Sequence, residues 1–156
     1  MAEPRHLLIV FHSRSGATQA LADAVIAGAT SDDIDGVEVR VRRAFDASAD
    51  DVRWADAVVL GTPENFGYMS GALKDFLERI YYGLLDDTPG LPYALFVKGG
   101  HDGEGAIRSV ERIVTGLRWR SVLPPVLAVG ELDDDALERC HELGLTLAAG
   151  LEAGVF

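Results

Sequence analysis

The stretch Leu7-Leu8-Ile9-Val10-Phe11-His12-Ser13-Arg14-Ser15-Gly16-Ala17-Thr18 decides the fold. Five apolar residues run without alternation and then give way to hydroxyls around a glycine. An unbroken apolar run of this length reads as a strand covered on both faces, as in the middle of a parallel sheet. It is too short for a bilayer span or a signal-peptide core, and polar His12-Ser13-Arg14 follows it instead of a small-residue cleavage site. No segment is therefore expected to target or cross a membrane.

Three more such runs follow, at Ala57–Leu60, Tyr93–Val97 and Val126–Val129. A fifth stretch, Val37-Glu38-Val39-Arg40-Val41-Arg42, alternates and so predicts an edge strand with one wet face. Helical spacing fills the gaps. Ala17, Leu21, Ala24, Val25 and Gly28 form one stripe; Leu73, Phe76, Leu77, Ile80 and Tyr81 a second; Ile107, Val110, Val114 and Leu117 a third. Ala49–Ala55 reads as a short helix with Trp54 in the core. The last helix starts near Asp133-Asp134-Asp135, where carboxylates suit the positive end of the dipole, and buries Leu137, Cys140, Gly144, Leu147, Ala148 and Leu151.

Strand and helix thus alternate from end to end, which implies a parallel sheet wrapped on both faces by right-handed crossovers. With the alternating strand at the edge beside the first, the expectation is α/β, a doubly wound five-stranded parallel sheet of order 2-1-3-4-5. One domain over residues 1–156 accommodates it.

Composition narrows the function. The chain holds 14 Lys and Arg against 25 Asp and Glu, for a net charge of −11. That charge repels nucleic acid and anionic membranes and favours a basic protein partner. The single cysteine, Cys140, excludes an internal disulfide and fits a reducing cytoplasm. The histidines show no metal-ligand spacing, so no metal site is expected.

Ligands of open α/β sheets bind where the winding reverses, here between the loops after Phe11 and after Leu60. In the first loop Ser13, Ser15 and Thr18 offer hydroxyls around Gly16, beside N–H groups at a helix start. Such donors make a phosphate cradle. The plainer alternative is a helix cap, which needs one hydroxyl and not three. Neither a Gly-Lys-Ser/Thr loop nor a G-x-G-x-x-G motif is present, and Cys140 stands far from any phosphatase-like loop. His12-Ser13 occupy the place where a receiver domain would carry acidic residues. The second loop, Thr62-Pro63-Glu64-Asn65-Phe66-Gly67-Tyr68-Met69-Ser70-Gly71, supplies aromatic faces that either border a flat heterocycle or fold back onto the core.

The first loop resembles the flavodoxin phosphate signature, Ser/Thr-x-Ser/Thr-Gly-x-Thr. The second is similar to the Gly-Thr-Pro-x-x-Phe-Gly-x-Met-Ser-Gly stretch of WrbA-like quinone reductases. Pro63-Glu64 with Gly71-Ala72-Leu73-Lys74-Asp75 also resembles NADPH-dependent FMN reductases. Flavodoxin is itself a standard instance of the switch-point rule.

The resemblance implies a flavodoxin-like fold and FMN. Ser13, Arg14, Ser15, Gly16, Ala17 and Thr18 would hold its phosphate. Pro63, Glu64, Asn65, Phe66, Gly67 and Tyr68 would border the isoalloxazine, with the Gly67 peptide able to bond flavin N5. Gly99, Gly100, His101 and Gly103 would face the opposite ring edge. No side chain acts as a covalent catalyst in this reading. The family relatives also imply NAD(P)H as electron donor, a small-molecule acceptor such as a quinone or free flavin, and a homodimer or tetramer. Two departures matter. No tyrosine stands between Val97 and Ile107, where many carriers stack one on the ring, and Glu64-Asn65 replace a Thr-Arg pair common in WrbA-like proteins. The first favours an NAD(P)H-dependent reductase; net charge and small size suit a flavodoxin-type carrier.

Overall fold

The computed structural model describes residues 3–14 and 16–156. The elements run β1 (Arg5–Phe11), α1 (Ala17–Ala29), β2 (Val37–Arg43), α2 (Ala49–Trp54), β3 (Ala57–Asn65), β4 (Tyr68–Met69), α3 (Gly71–Leu84), β5 (Pro92–Gly99), α4 (Glu104–Gly116), β6 (Arg120–Ser121), β7 (Val126–Val129) and α5 (Asp134–Glu152).

The sheet order is β2-β1-β3-β5-β6, all parallel, with β7 also on β5 and β4 antiparallel to the end of β3. The expected five-strand order therefore needs a correction at two places. The fifth strand arrives as two short pieces, β6 against Pro92-Tyr93 and β7 against Phe96–Gly99, because Pro124-Pro125 between them cannot donate to a ladder. The second loop folds back as a hairpin, β4 pairing with the end of β3.

Side-chain alternation explains why the apolar runs do not alternate in kind. Leu8, Val10, Val58, Leu60, Leu95 and Val97 pack under α3 and α4, while Leu7, Ile9, Phe11, Val59 and Phe96 pack under α1 and α5. Both faces are apolar because both are covered. β2 lies at the edge as its alternation requires, with Arg40 and Arg42 half-buried and Arg43 exposed. Helices α1 and α5 touch through glycines. A Cβ on Gly28 would lie 2.0 Å from the His141 carbonyl oxygen, and one on Gly144 would lie 2.0 Å from that of Val25.

Two aromatic expectations are corrected. Trp54 sits at the rim of the core, half-buried between the stacked His6 ring at 4.2 Å and the Arg40 guanidinium at 3.9 Å. The ring thus packs against the core with a cation and an imidazole over it. Tyr81 is likewise half-buried, and Tyr82 is 85% exposed. Among the described residues no helix is long and apolar enough to cross a membrane.

Candidate functional site

The carboxyl ends of β1, β3 and β5 bring the three expected loops to one edge of the sheet. Register fixes this: Phe11 pairs with Gly61, and Pro63 with Lys98. The His12 N–H donates to the Gly61 carbonyl at 3.2 Å, closing the first two loops on each other.

In the first loop Gly16 takes φ +96°, and a Cβ there would meet nothing within 4 Å, so the peptide faces open space. The Ser13 hydroxyl accepts from the N–H groups of Gly16 at 3.3 Å and Gln19 at 3.0 Å. Gly16 is the N-cap of α1, and Ser13, three residues before it, satisfies the Gln19 N–H of the first turn. Among the described residues the N–H groups of Arg14, Ala17 and Thr18 have no acceptor. Thr18 is 2% exposed, so its hydroxyl lies deep in the turn and not at the surface. Ser15, the third hydroxyl, lies outside the described residues.

Three groups nearby were not among the expected site residues. Arg43, paired with Phe11 across β1 and β2, lies over the Phe11 ring at 5.2 Å and donates to the Gln19 side-chain oxygen at 2.7 Å. Phe45, 65% exposed, meets the His12 ring edge-on at 6.2 Å. Burial, then the charges of Arg43 and Arg14, hold His12 below the ordinary imidazole pKa. A parallel register drawn from the alternating run would have placed Arg43 beside this loop. An acidic chain thus keeps a local positive field at the end of β1.

The second loop is held from three sides. The backbone turns back at Phe66 (φ 54°) and Gly67 (φ 68°), the paired positive angles of a tight hairpin. Glycine adopts this freely, whereas phenylalanine is strained there, by about 1–3 kcal/mol. Despite that strain the Phe66 ring is fully exposed, and Tyr68 is partly so; neither folds back onto the core. At the base, the Thr62 hydroxyl accepts from the Ser70 N–H at 2.9 Å and donates to the Pro63 carbonyl at 2.8 Å. The Met69 N–H donates to the Ser109 hydroxyl at 3.1 Å, tying the hairpin to α4. The carbonyl of Gly67 lies against Gly105, where a Cβ would come within 1.9 Å of it. Asn65 ends β3, half-buried opposite Tyr68.

Glu64 is committed to the third loop: its Oε1 accepts from the His101 N–H at 3.2 Å. That loop is compact because glycine allows it. A Cβ on Gly103 (φ +71°) would lie 2.2 Å from the Leu127 side chain, and one on Gly99 would crowd Gly103 at 3.1 Å. Gly100 opens on free space, and His101 is exposed. The Asp102 carboxylate accepts from the Glu104 N–H at 3.0 Å, which starts α4.

These groups fit FMN. A phosphate needs free N–H donors, a glycine leaving room and positive charge nearby; around Gly16 stand N–H groups with no acceptor among the described residues, open space, and Arg14 and Arg43. A flat ring needs a slot between loops of fixed spacing, and the Glu64–His101 bond fixes the second against the third. By contrast, the larger hollows of about 550 and 630 Å3 lie at the opposite edge of the sheet. One is lined by Arg53, Asp86 and Asp87, the other by Glu3, Arg5, Asp35 and Glu152, and neither touches the three loops.

Comparison with known proteins agrees. Residues 9–144 match the family described as Flavodoxin. A flavodoxin of Aquifex aeolicus is 32% identical, with 91% of this chain and 84% of that protein covered. An NAD(P)H dehydrogenase (quinone) of Acidithiobacillus ferrooxidans is 31% identical over 47% of this chain and 46% of its own length. The solved flavodoxin, WrbA-like protein of Agrobacterium tumefaciens superposes with a TM-score of 0.77 at 18% identity, covering 97% and 99% of the two chains. The last likeness is one of fold. The match over most of its length makes this chain a member of the flavodoxin family, an FMN-type electron-transfer protein.

Proposed function

We propose that the chain is an FMN-dependent reductase that takes hydride from NAD(P)H and passes electrons to a quinone, a flavin or a similar small acceptor. The third loop carries this reading. Gly99, Gly100, His101 and Gly103 set no tyrosine beside the flavin position, Gly100 opens on free space, and the small His101 ring is exposed to solvent. A ring face left bare on that side accepts a stacked nicotinamide or quinone.

When bound, FMN supplies the redox chemistry, taking up a hydride and releasing its electrons to the acceptor. The chain's own residues bind, orient and tune. The N–H groups of Arg14, Ala17 and Thr18 hold the phosphate, with Gly16 giving close approach and Ser13 keeping the helix end in place. Ser15 joins them by its position in the motif. Pro63 to Tyr68 border the ring, and the Gly67 peptide is the group able to bond its central nitrogen. To present its carbonyl there, that peptide must leave its contact with Gly105. Backbone N–H groups of the third loop other than that of His101, which Glu64 holds, would meet the ring carbonyls, where charge builds on reduction.

The test is addition of NADH or NADPH to FMN-loaded protein without oxygen, followed by steady-state turnover with a benzoquinone. Bleaching of the flavin and turnover well above that of free FMN are expected; turnover at the free-FMN level overturns the reading. A carrier role is the second reading, supported by the Aquifex aeolicus relative and by the charge of −11. In that case the loaded protein exchanges electrons only with a protein partner, a basic one, and ignores NAD(P)H.

A further inference from the structure

Five of the twelve arginines stand outside every ion pair among the described residues: Arg14, Arg43, Arg108, Arg112 and Arg120. Arg14 and Arg43 flank the phosphate loop. Arg108 and Arg112 form a second pair, on the exposed face of α4. One helical turn separates them, so their Cβ atoms lie about 5–6 Å apart.

Both line a groove of about 500 Å3 whose other wall is Gly67 and Tyr68 of the hairpin. The groove continues into a hollow of about 310 Å3 between α3 and α4, sharing Arg112 and Ile113 and ending at Tyr81 and Tyr82. The two tyrosine rings meet edge-on at 5.2 Å, and Tyr82 offers an open face. Glu78, the carboxylate in this second hollow, is paired with Lys74 at 2.8 Å and repels an anion less than a free one would. The arrangement is a pair of guanidiniums between two aromatic ends.

We infer that this groove binds the ADP half of a nicotinamide dinucleotide, with Arg108 and Arg112 on its diphosphate. Two guanidiniums a turn apart bridge adjacent phosphates through forked, charge-assisted hydrogen bonds. The exposed tyrosine face gives the adenine a stacking surface. The hairpin separates the groove from the flavin position by a ribbon only two strands wide, and neighbouring strands lie about 4.8 Å apart. A dinucleotide anchored here therefore reaches its nicotinamide past Gly67 to the ring. An acidic protein segment suits the site less well, since the chain's overall charge repels it at long range and the concave groove favours a small ligand.

The inference rests on NAD(P)H as donor, so its test is kept separate from turnover. FMN-loaded protein is titrated with ADP-ribose, which lacks the nicotinamide, by calorimetry. Wild type is expected to bind, and Arg108→Ala and Arg112→Ala are each expected to weaken binding about tenfold. Arg120→Ala removes the same charge elsewhere and is expected to leave affinity unchanged. No ADP-ribose binding by wild type overturns the inference, as does an equal loss in Arg120→Ala or binding of an acidic peptide in its place. Wild type that binds ADP-ribose through both arginines yet never oxidises NAD(P)H sinks the donor reading alone. Turnover with a KM unmoved by either arginine variant sinks the groove alone.

Discussion

His12 shows how much a single residue reports about this site. Burial, Arg43 and Arg14 all disfavour its cation, so its folded pKa lies below 6.5. Protonation is therefore easier in the unfolded chain, and His12 lowers stability as pH falls through and below that value. A bound phosphate dianion would oppose both arginines. The His12 ring should titrate at a higher pH with FMN than without it, as read by proton NMR; an unmoved titration would remove the phosphate from the Gly16 turn. Cys140 makes the opposite point. Burial pushes its thiol up to about 12, so it stays protonated and unreactive at ordinary pH. Native protein should resist a thiol reagent at pH 8 and react fully in denaturant; rapid native labelling would contradict the burial. Because the unfolded thiol ionises near 9 and the folded one near 12, this residue costs stability as pH climbs between them.

Among the elements, α3 does more than cover the sheet. Arg79 donates at 2.8 Å to the carbonyls of both Ala44 and Ala47, pinning the turn that carries Phe45 beside His12. Arg79→Leu leaves two carbonyls without their donor and should speed amide exchange over residues 44–48 while sparing β1; unchanged exchange would show the turn holds itself. The α1–α5 crossing is tighter still. Gly144→Ala drives a methyl group into the Val25 carbonyl and should destabilise the fold by about 1–3 kcal/mol in denaturant melts. Most elements were legible from the chain because their signals are local. Unbroken apolar runs marked the covered strands, and stripes at helical spacing marked the helices. What stayed hidden depends on neighbours far along the chain. The hairpin needs the Thr62 and Ser109 hydroxyls, the latter forty residues away in sequence from the Met69 N–H it receives. Arg43 became visible only through its register with Phe11. Trp54 looked like core because nothing local announces that His6 and Arg40 will cover its two faces.

For the whole molecule, the charge distribution and the sheet outline matter most. Acid dominates the surface, and unpaired base gathers at the phosphate turn and along α4, so substrates that are anions have two local landing places on a chain that otherwise repels them. The sheet outline has its own effect. On one flank, Arg40, Arg42 and Arg43 stud β2; on the other, Pro124 and Pro125 interrupt the last strand between β6 and β7. A foreign strand seeking to zip onto either border would meet long arginine side chains, two of them paired with Asp51, or a gap lacking amide hydrogens. Fibre growth by edge addition is thereby discouraged, and crowding in a concentrated solution should leave these molecules side by side through helices, never stitched into a common ribbon.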